Sequence, residues 1–317
     1  MRRVAVYGAA NIDIHAVCFR EYIPADSNPG YSYISLGGVG RNIAENCVRL
    51  GLSVDLVTVI GDDELSSIVV DGCRKQGIAL EHSLFLKGAV TPRYICMLNS
   101  DGTLAGAVAA MEALDKFDLA EFEKRTEAGD RAGIVVLDAN LPEAVISAAC
   151  CRWNRKTLFF DPVSVTKAAK AVNNIGGFSI VKPNLNESLL LAGLEQELAL
   201  REPPCVLAKK SAEILHRRGV NEVFVSLGSE GLFYLSGSGC GMVRPFDKPV
   251  VNVSGAGDAA SAGIIWACFS DCTTMDKARY AVAAASICAS SAGTVSEMMN
   301  EINLEKLAKE VHHEFIS

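Results

Sequence analysis

A lone aspartate, Asp258, directly precedes a helix-compatible segment, 259–269, and follows three small residues, Gly255, Ala256 and Gly257. The two glycines let the backbone turn sharply and approach a ligand closely. Free N–H groups at a helix start would converge there, and the helix dipole favours an anion. A carboxylate beside such an anion hole is suited to removing a hydroxyl proton while a phosphoryl group arrives. The alternative is that Asp258 is only the N-cap of the helix.

Two polar residues, Asn11 and Asp13, alternate across Ile12 directly after the first apolar run of the chain. Because alternate residues of an extended segment point to the same side, the amide and the carboxylate are expected to face one ligand. Such a pair is suited to gripping vicinal hydroxyl groups. The alternative is an Asx turn. It would account for one of the two residues alone, but less well for both together.

A second glycine cluster, Gly37-Gly38-Val39-Gly40, opens another predicted helix, and Asn42 lies in the first turn of that helix. The cluster lacks the Gly-Lys-Ser/Thr ending of a Walker A loop and the spacing of a dinucleotide fingerprint. We expect Asn42 to face the same end of the helix as the glycines. Ordinary helix capping is the alternative.

Acidic and amide residues follow two later apolar runs: Asp161 the first, and Asn184 with Glu187 the second. Residues at the carboxyl ends of parallel strands face the ligand crevice of an open α/β sheet. Asp161 and Glu187 are suited to holding Mg²⁺ through water, because that ion keeps several waters and takes few carboxylates. The alternative is that Asn184 caps a helix with Glu187 as its capping-box partner, and both roles can coexist.

A turn of small residues, 226–231, follows a further apolar run and contains Ser226, Gly228 and Gly231. Small residues there would let a nucleotide phosphate or ribose come close to the backbone. A plain turn is the alternative.

Apolar runs typical of buried parallel strands recur with helical segments between them, which predicts a mostly parallel sheet with helices on both faces. Gly51 and Gly219 stand where C-terminal helix glycines belong. The predicted strands are 4–9, 54–60, 133–138, 157–161, 179–182 and 222–227. The predicted helices are 39–50, 64–76, 142–153, 187–192, 206–218, 258–270, 276–291 and 303–314.

Two segments, 11–36 and 91–109, depart from this alternation of strands and helices. Polar and apolar residues alternate in them, and no helix is predicted there. Asp101-Gly102 is a strong hairpin signal inside the second segment. We expect a small antiparallel sheet, inserted into the core fold and placed to cover an active site as a lid. Its unpaired strand edges favour a homodimer in which two lids meet.

The chain has 317 residues, half of them hydrophobic, which is enough for one large α/β domain with an accessory piece. The net charge is -7 and the sequence has no cluster of Lys or Arg, so it does not predict a basic surface for binding nucleic acid. The first apolar run is too short for a secretory signal, and the uncharged segment 280–296 is predicted to be a packed helix rather than a membrane span. Neither a nucleic-acid nor a membrane partner is expected.

The eleven cysteines include no Cys-x-x-Cys pair, which predicts reduced, buried thiols in a cytoplasmic protein rather than disulfides or a metal cluster. Those in apolar contexts are Cys47, Cys96, Cys150, Cys151, Cys268 and Cys288. The five histidines show no metal-ligand spacing, and His312 and His313 are predicted to lie on a solvated terminal helix.

In their order and rough spacing, these motifs resemble the ribokinase-like (PfkB) family of carbohydrate and nucleoside kinases, over essentially the whole chain. The residues that carry the resemblance are Gly37-Gly38, Asn184-x-x-Glu187, Ser226-x-Gly228-x-x-Gly231 and Gly255-Ala256-Gly257-Asp258. The resemblance implies one kinase domain, 1–317, with an α/β fold: a three-layer αβα core with a mostly parallel sheet, and a small antiparallel β lid.

The resemblance also implies ATP-dependent phosphoryl transfer to a hydroxyl group, with Asp258 as the base and Gly255, Ala256 and Gly257 as the anion hole. Asn184 and Glu187 would belong to the Mg²⁺–phosphate network. The ribose would be held by Asn11, Asp13, Gly38 and Asn42. The ATP site would be lined by Ser226, Gly228 and Gly231.

Four stretches, 25–30, 38–44, 161–164 and 252–258, are similar to the members of this family that phosphorylate the ribose 5′-hydroxyl of pseudouridine. The uracil edge would then be read by Ser27, Asn28 and Lys167, whose hydroxyl, amide and ammonium groups suit it. Many members have Asp-Thr where this chain has Asn252-Val253, so dependence on a monovalent cation stays open. The alternatives are another sugar or nucleoside kinase of the family and a catalytically silent metabolite-binding protein on the same fold.

Overall fold

The structure is a computed structural model that describes residues 2–245 and 249–315. The strands are β1 (Arg3–Tyr7), β2 (Asn11–Cys18), β3 (Gly30–Gly37), β4 (Ser53–Val57), β5 (Val59–Ile60), β6 (Leu84–Phe85), β7 (Arg93–Leu98), β8 (Leu104–Ala110), β9 (Ile134–Asp138), β10 (Thr157–Asp161), β11 (Ile180–Val181), β12 (Glu222–Ser226), β13 (Leu232–Ser236), β14 (Gly239–Arg244) and β15 (His312–Phe315). The helices are α1 (Val39–Arg49), α2 (Ser66–Lys75), α3 (Leu119–Glu123), α4 (Glu127–Arg131), α5 (Glu143–Arg152), α6 (Val165–Ala168), α7 (Leu185–Ala192), α8 (Pro204–Arg217), α9 (Ala256–Ala267), α10 (Thr274–Ala289) and α11 (Glu301–Ala308).

The main sheet has the strand order β15-β14-β13-β12-β11-β10-β9-β1-β4. The six strands from β12 to β4 pair in parallel, whereas β12, β13, β14 and β15 pair antiparallel. Parallel neighbours need crossover connections, and helices supply them here. The predicted mostly parallel sheet is confirmed.

Alternate residues of β1 enter two separate apolar clusters, which shows that both faces of the main sheet are covered. Val4 and Val6 pack with residues of α1, α9 and α10, whereas Ala5 and Tyr7 pack with residues of α5 and α8. Successive side chains of a strand point to opposite faces. The result is the expected α/β fold with three layers: helices, sheet and helices.

The second sheet has the order β3-β2-β7-β8 and is formed by the two segments predicted for it. Its two outer pairs are antiparallel. Its central pair, β2 with β7, is parallel, and the chain leaves this sheet after β3 and returns to it at β7. The Asp101-Gly102 hairpin is present: Gly102 has a φ of 83°, and the Asp101 carboxylate accepts a 2.9 Å hydrogen bond from the Thr103 N–H.

Three predictions of secondary structure were wrong. The predicted strand 54–60 is broken between β4 and β5, and β5 pairs with β6 outside the main sheet. The uncharged segment 280–296 is helical only to residue 289. The predicted helix 303–314 ends at Ala308, and His312 and His313 lie in β15, where β14 would otherwise expose unpaired backbone groups at the sheet edge.

The cysteine prediction is correct in part. Six of the eleven cysteines are buried, but Cys151 is exposed and Cys268 is half-buried. Cys150 and Cys151 are neighbours on α5 and therefore point about 100° apart, so that only Cys150 reaches the core. Across residues 2–245 and 249–315, no helix has the length and apolar character to cross a membrane.

A buried carboxylate, Asp138 at the end of β9, fixes the start of the chain against the sheet. It accepts hydrogen bonds from the N–H groups of Ala9 at 2.8 Å, Gly40 at 2.9 Å and Asn140 at 2.8 Å. A Cβ on Gly8 would lie 2.3 Å from Asp138 Oδ2, so only glycine fits there. The end of β1, the first turn of α1 and the end of β9 therefore meet at one side chain.

Substitution Asp138→Ala leaves three N–H groups without this acceptor, and each buried unsatisfied donor costs about 1–3 kcal/mol. We expect the free energy of unfolding, measured by urea denaturation, to fall by at least about 3 kcal/mol. The control is Asp71→Ala on the exposed surface of α2, which should change it by less than about 0.5 kcal/mol. Equal effects of the two substitutions would refute the anchoring role of Asp138.

Candidate active site

The N-terminus of α9 is shaped by Gly255, which caps the helix with a φ of 81°. A Cβ on Gly255 would lie 2.0 Å from the carbonyl oxygen of Thr294, so a glycine is required by space as well as by conformation. Gly257 is exposed in the first turn, where N–H groups lack intrahelical acceptors. This backbone can receive an anion.

Asp258 lies in the same turn and is held by α1. Its Oδ2 accepts a 2.7 Å hydrogen bond from Asn42 Nδ2. Asn42 Oδ1 in turn accepts from the Arg41 guanidinium, which also pairs with the buried Glu45 carboxylate. Arg41 thus sets the orientation of the Asn42 amide, so that its N–H donors face Asp258.

The environment makes Asp258 a weaker acid than a free aspartate. Burial raises the pKa of Asp258 to about 7, and the Asp161 charge adds to this effect. The hydrogen bond from Asn42 and the charge of Lys182 lower the pKa. A carboxylate with a pKa near neutral pH is poised to accept a proton.

The structure places Lys182, which the sequence analysis missed, among these carboxylates. The residue directly follows β11 and is 5% exposed, and its Nζ lies 3.4 Å from Asp161 Oδ2. Burial lowers the pKa of Lys182, but the charges of Asp161, Glu187 and Asp258 outweigh burial and leave the pKa raised. The sequence feature that could have identified Lys182 as a site residue is a lysine at the end of an apolar run.

Asp161 joins β10 to α9. Its Oδ2 accepts a 2.8 Å hydrogen bond from Ser261 Oγ, and its Oδ1 accepts one of 3.1 Å from the Val163 N–H. Val163 has a φ of 66°, and the Ser164 N–H donates to the Pro162 carbonyl at 2.7 Å, which closes a γ-turn. Such a turn is rare and strained for a β-branched residue, so the Asp161 contact helps to hold it.

Asn184 and Glu187 form the capping box of α7 that the sequence analysis gave as an alternative. Asn184 donates from its backbone N–H to Glu187 Oε2 and from Nδ2 to Oε1, both at 2.8 Å, and burial raises the pKa of Glu187. Among the described residues, no three His, Cys, Asp or Glu are grouped to hold a metal ion directly. Asp161 and Glu187, the residues predicted for Mg²⁺, lie close enough for the Asp161 charge to add to the raised pKa of Glu187.

A cavity of about 250 Å³ opens beside Asn184, Ser226 and Gly228. Gly228 has a φ of 61° and open space where a side chain would stand. Gly231 is not at the cavity: a Cβ there would lie 2.1 Å from the Val243 carbonyl oxygen, so this glycine allows the turn to pack against β14. The structure therefore brings three of the four residues predicted to bind ATP together, Asn184, Ser226 and Gly228, and leaves Gly231 out.

Asn11 and Asp13 share one side of β2, as their spacing predicts. Asn11 Nδ2 donates to Asp13 Oδ1 at 2.6 Å, and burial raises the pKa of Asp13. A Cβ on Gly37 would lie 2.3 Å from both carboxylate oxygens of Asp13. Gly38, with a φ of 97°, leaves no room for a side chain against the Ala9 carbonyl.

The residues predicted to read a base are separated into two places. Ser27 is exposed and Asn28 is half-buried, and the Asn28 side chain closes its own loop by hydrogen bonds with backbone atoms of Ile23 and Asp26. Lys167 Nζ donates to Asn140 Oδ1 at 2.6 Å and lines a different cavity, of about 200 Å³. No hydrogen bond within the described chain joins the two places.

Asn252 is engaged within the loop that precedes α9. Its Nδ2 donates to the Ala292 carbonyl and its Oδ1 accepts from the Ser254 N–H, both at 2.9 Å. This amide therefore holds 252–254 against the turn after α10.

Comparison with known proteins identifies the family and the fold of this chain. The family model described as "pfkB family carbohydrate kinase" matches residues 1–301. Pseudouridine kinase of Escherichia coli (strain K12) is 31% identical over 262 residues, 82% of each chain. A carbohydrate kinase structure from Agrobacterium tumefaciens superposes with a TM-score of 0.86 at 27% identity over the full length of both chains. Ribokinase of Arabidopsis thaliana, complexed with ribose and ATP, shares the fold with a TM-score of 0.81 at 22% identity, over 97% of this chain and 99% of its own.

Fold and comparisons define a phosphotransferase that acts on a hydroxyl group. The chain belongs to the PfkB family of carbohydrate kinases.

Asp258→Asn removes a carboxylate whose ionisation is unfavourable in the folded protein. Because the pKa is raised on folding, the wild type loses stability as the pH rises from about 4 to about 7, and the loss persists above that range. The Tm of the variant relative to the wild type should therefore increase over this range and then level off. Asp71→Asn, on an exposed helix surface, is the control and should show no such trend. A difference in Tm that is independent of pH would contradict the raised pKa.

Proposed function

We propose that this protein transfers the γ-phosphoryl group of ATP to the ribose 5′-hydroxyl of pseudouridine, giving pseudouridine 5′-phosphate and ADP. The observation that carries the proposal is the pairing of Asp258, with its raised pKa, with the exposed N-terminus of α9. A proton acceptor and an anion-binding backbone are the two parts that phosphoryl transfer to an alcohol needs.

In the proposed reaction, Asp258 accepts the 5′-hydroxyl proton as the hydroxyl oxygen attacks the γ-phosphorus. The new O–P bond forms while the bond from phosphorus to the ADP oxygen breaks. The backbone of Gly255, Ala256 and Gly257 receives the negative charge of the phosphoryl group. Asn42 keeps the Asp258 carboxylate aimed throughout, because its own amide is fixed by Arg41.

The ribose is proposed to lie against Asn11 and Asp13, with Gly38 and Asn42 beside it. The Asp13 carboxylate is an acceptor for the 2′- and 3′-hydroxyl groups, and its hydrogen bond from Asn11 fixes its orientation. Hydrogen bonds to a charged group contribute about 1.5–3 kcal/mol each. Gly37 supports this role because its missing side chain leaves room for the Asp13 carboxylate.

ATP is proposed to extend from α9 to the cavity beside Asn184, Ser226 and Gly228. Asp161 and Glu187 would hold Mg²⁺ through water, and the ion would neutralise phosphate charge when bound. The Arabidopsis ribokinase structure is a complex with ribose and ATP, which supports this donor for the same fold.

Pseudouridine is proposed from the similarity to the Escherichia coli enzyme of that name. Because the Asn28 amide serves its own loop, we assign direct reading of the uracil edge to the Ser27 hydroxyl, with Asn28 supporting the loop. Lys167 offers an ammonium donor at a cavity that is also lined by Asn140.

We propose further that 1–317 forms one kinase domain, in which the second sheet is a lid that pairs with the lid of a second copy. The sheet face opposite Asp13 is apolar and exposed at Ile34, Ile95 and Val108, which strand register places side by side. Exposed apolar patches of this kind mark association surfaces.

The absence of disulfides among the eleven cysteines, all within the described residues, supports a reducing, cytoplasmic location.

The substrate proposal is tested by kcat/KM for pseudouridine, uridine and ribose with ATP. Pseudouridine has an additional ring N–H, and a site built for that donor leaves an acceptor unpaired with uridine, so we expect a preference of at least about tenfold. Ser27→Ala, which removes a hydroxyl acceptor, and Asn28→Ala, which removes the side chain that closes this loop, should reduce the preference and leave the KM for ATP unchanged. Equal rates with the three acceptors would refute pseudouridine as the substrate and leave the broader kinase assignment.

A further inference from the structure

A buried lysine, Lys182, stands where the proposed phosphoryl transfer takes place. It is 5% exposed, and burial of an ammonium group is costly unless opposite charge surrounds it. Among the described residues, the Asp161 carboxylate at 3.4 Å is its one ion-pair partner within 4 Å. An ammonium has three N–H donors, so this contact leaves donor capacity for a ligand.

The position of Lys182 beside the start of α9 indicates that the ligand bound there is negatively charged. A Cβ built on Gly257 would lie 3.5 Å from Lys182 Nζ, so the ammonium borders the exposed first turn of the helix. The helix dipole and the N–H groups of that turn favour an anion at the same point. Two independent features, one from β11 and one from α9, therefore converge on a single anion site.

The surrounding carboxylates explain why the cation is retained there. Asp161, Glu187 and Asp258 all stabilise the charged form of Lys182, and Lys182 in turn favours ionised Asp258. A structural ion pair with Asp161 alone would not require the ammonium to face Gly257. Asp161 already accepts hydrogen bonds from Ser261 and Val163.

We infer that Lys182 binds the phosphoryl group that is transferred, together with the N–H groups of α9. This inference rests on the proposed function. Lys182 keeps its proton throughout: the hydroxyl proton passes to Asp258, the O5′–P bond forms, and the bond from phosphorus to the ADP oxygen breaks. The ammonium stabilises the charge on the equatorial phosphoryl oxygens during this exchange.

The inference is tested by calorimetric titration of the full-length protein with ADP and with AMP-PNP, a non-hydrolysable ATP analogue, at fixed Mg²⁺. Lys182→Met should weaken AMP-PNP by roughly 10–100-fold and leave the Kd for ADP unchanged, because only the analogue carries the γ-phosphoryl group. The control is Lys277→Met, which breaks a partly buried Lys–Glu pair with Glu222. It should change neither affinity.

The outcomes separate this inference from the proposed function. If the wild type binds neither nucleotide, the ATP-dependent function fails and the inference with it. If Lys182→Met weakens both nucleotides equally, or neither, the phosphoryl contact is refuted while the kinase function stands. If Lys182→Met does not fold, Lys182→Gln, which removes the charge but keeps an N–H donor, is compared by the same ratio: the inference requires a larger change for AMP-PNP than for ADP, and an unchanged ratio overturns it.

Discussion

Three backbone N–H groups converge on one buried carboxylate, Asp138, and the arrangement of the site depends on this interaction. The N–H donors belong to Ala9, Gly40 and Asn140, which lie on three different elements. Because β1 ends there, β2 begins nearby with Asn11 and Asp13; because α1 begins there, Asn42 in its first turn reaches Asp258. The Asp138 carboxylate can approach the backbone this closely because residue 8 is glycine and has no side chain there.

The electrostatic balance of the site depends on the same compact arrangement. Asp161, Glu187 and Asp258 act on one another through low-dielectric surroundings, with Lys182 as the buried cation among them. Burial and, after it, the negative charge of Asp161 therefore raise the pKa of Asp258. In the proposed reaction, the fixed Asn42 amide and the Lys182 ammonium offset that charge and keep the base available near neutral pH.

Periodicity and glycine placement predicted much of the fold, because the buried parallel strands and their helices have strong local signals. The sequence also predicted that Asn11 and Asp13 share a side, which strand geometry requires. It did not predict the β13–β14 hairpin or β15, since the strands at this end of the sheet are stabilised by pairing with their neighbours rather than by local pattern. Lys182 and Asp138 were missed because their importance comes from partners distant in the chain, such as Asp161 and Gly40.

The central claim is that Asp258 removes the proton from the acceptor hydroxyl. The most direct measurement is kcat of Asp258→Asn with pseudouridine and ATP, together with the Kd of each substrate by calorimetry. The account predicts that kcat falls by roughly 10²–10⁴-fold, as for loss of a general base, while both Kd values stay within about threefold of the wild type. Turnover near the wild-type rate in the folded variant would contradict it.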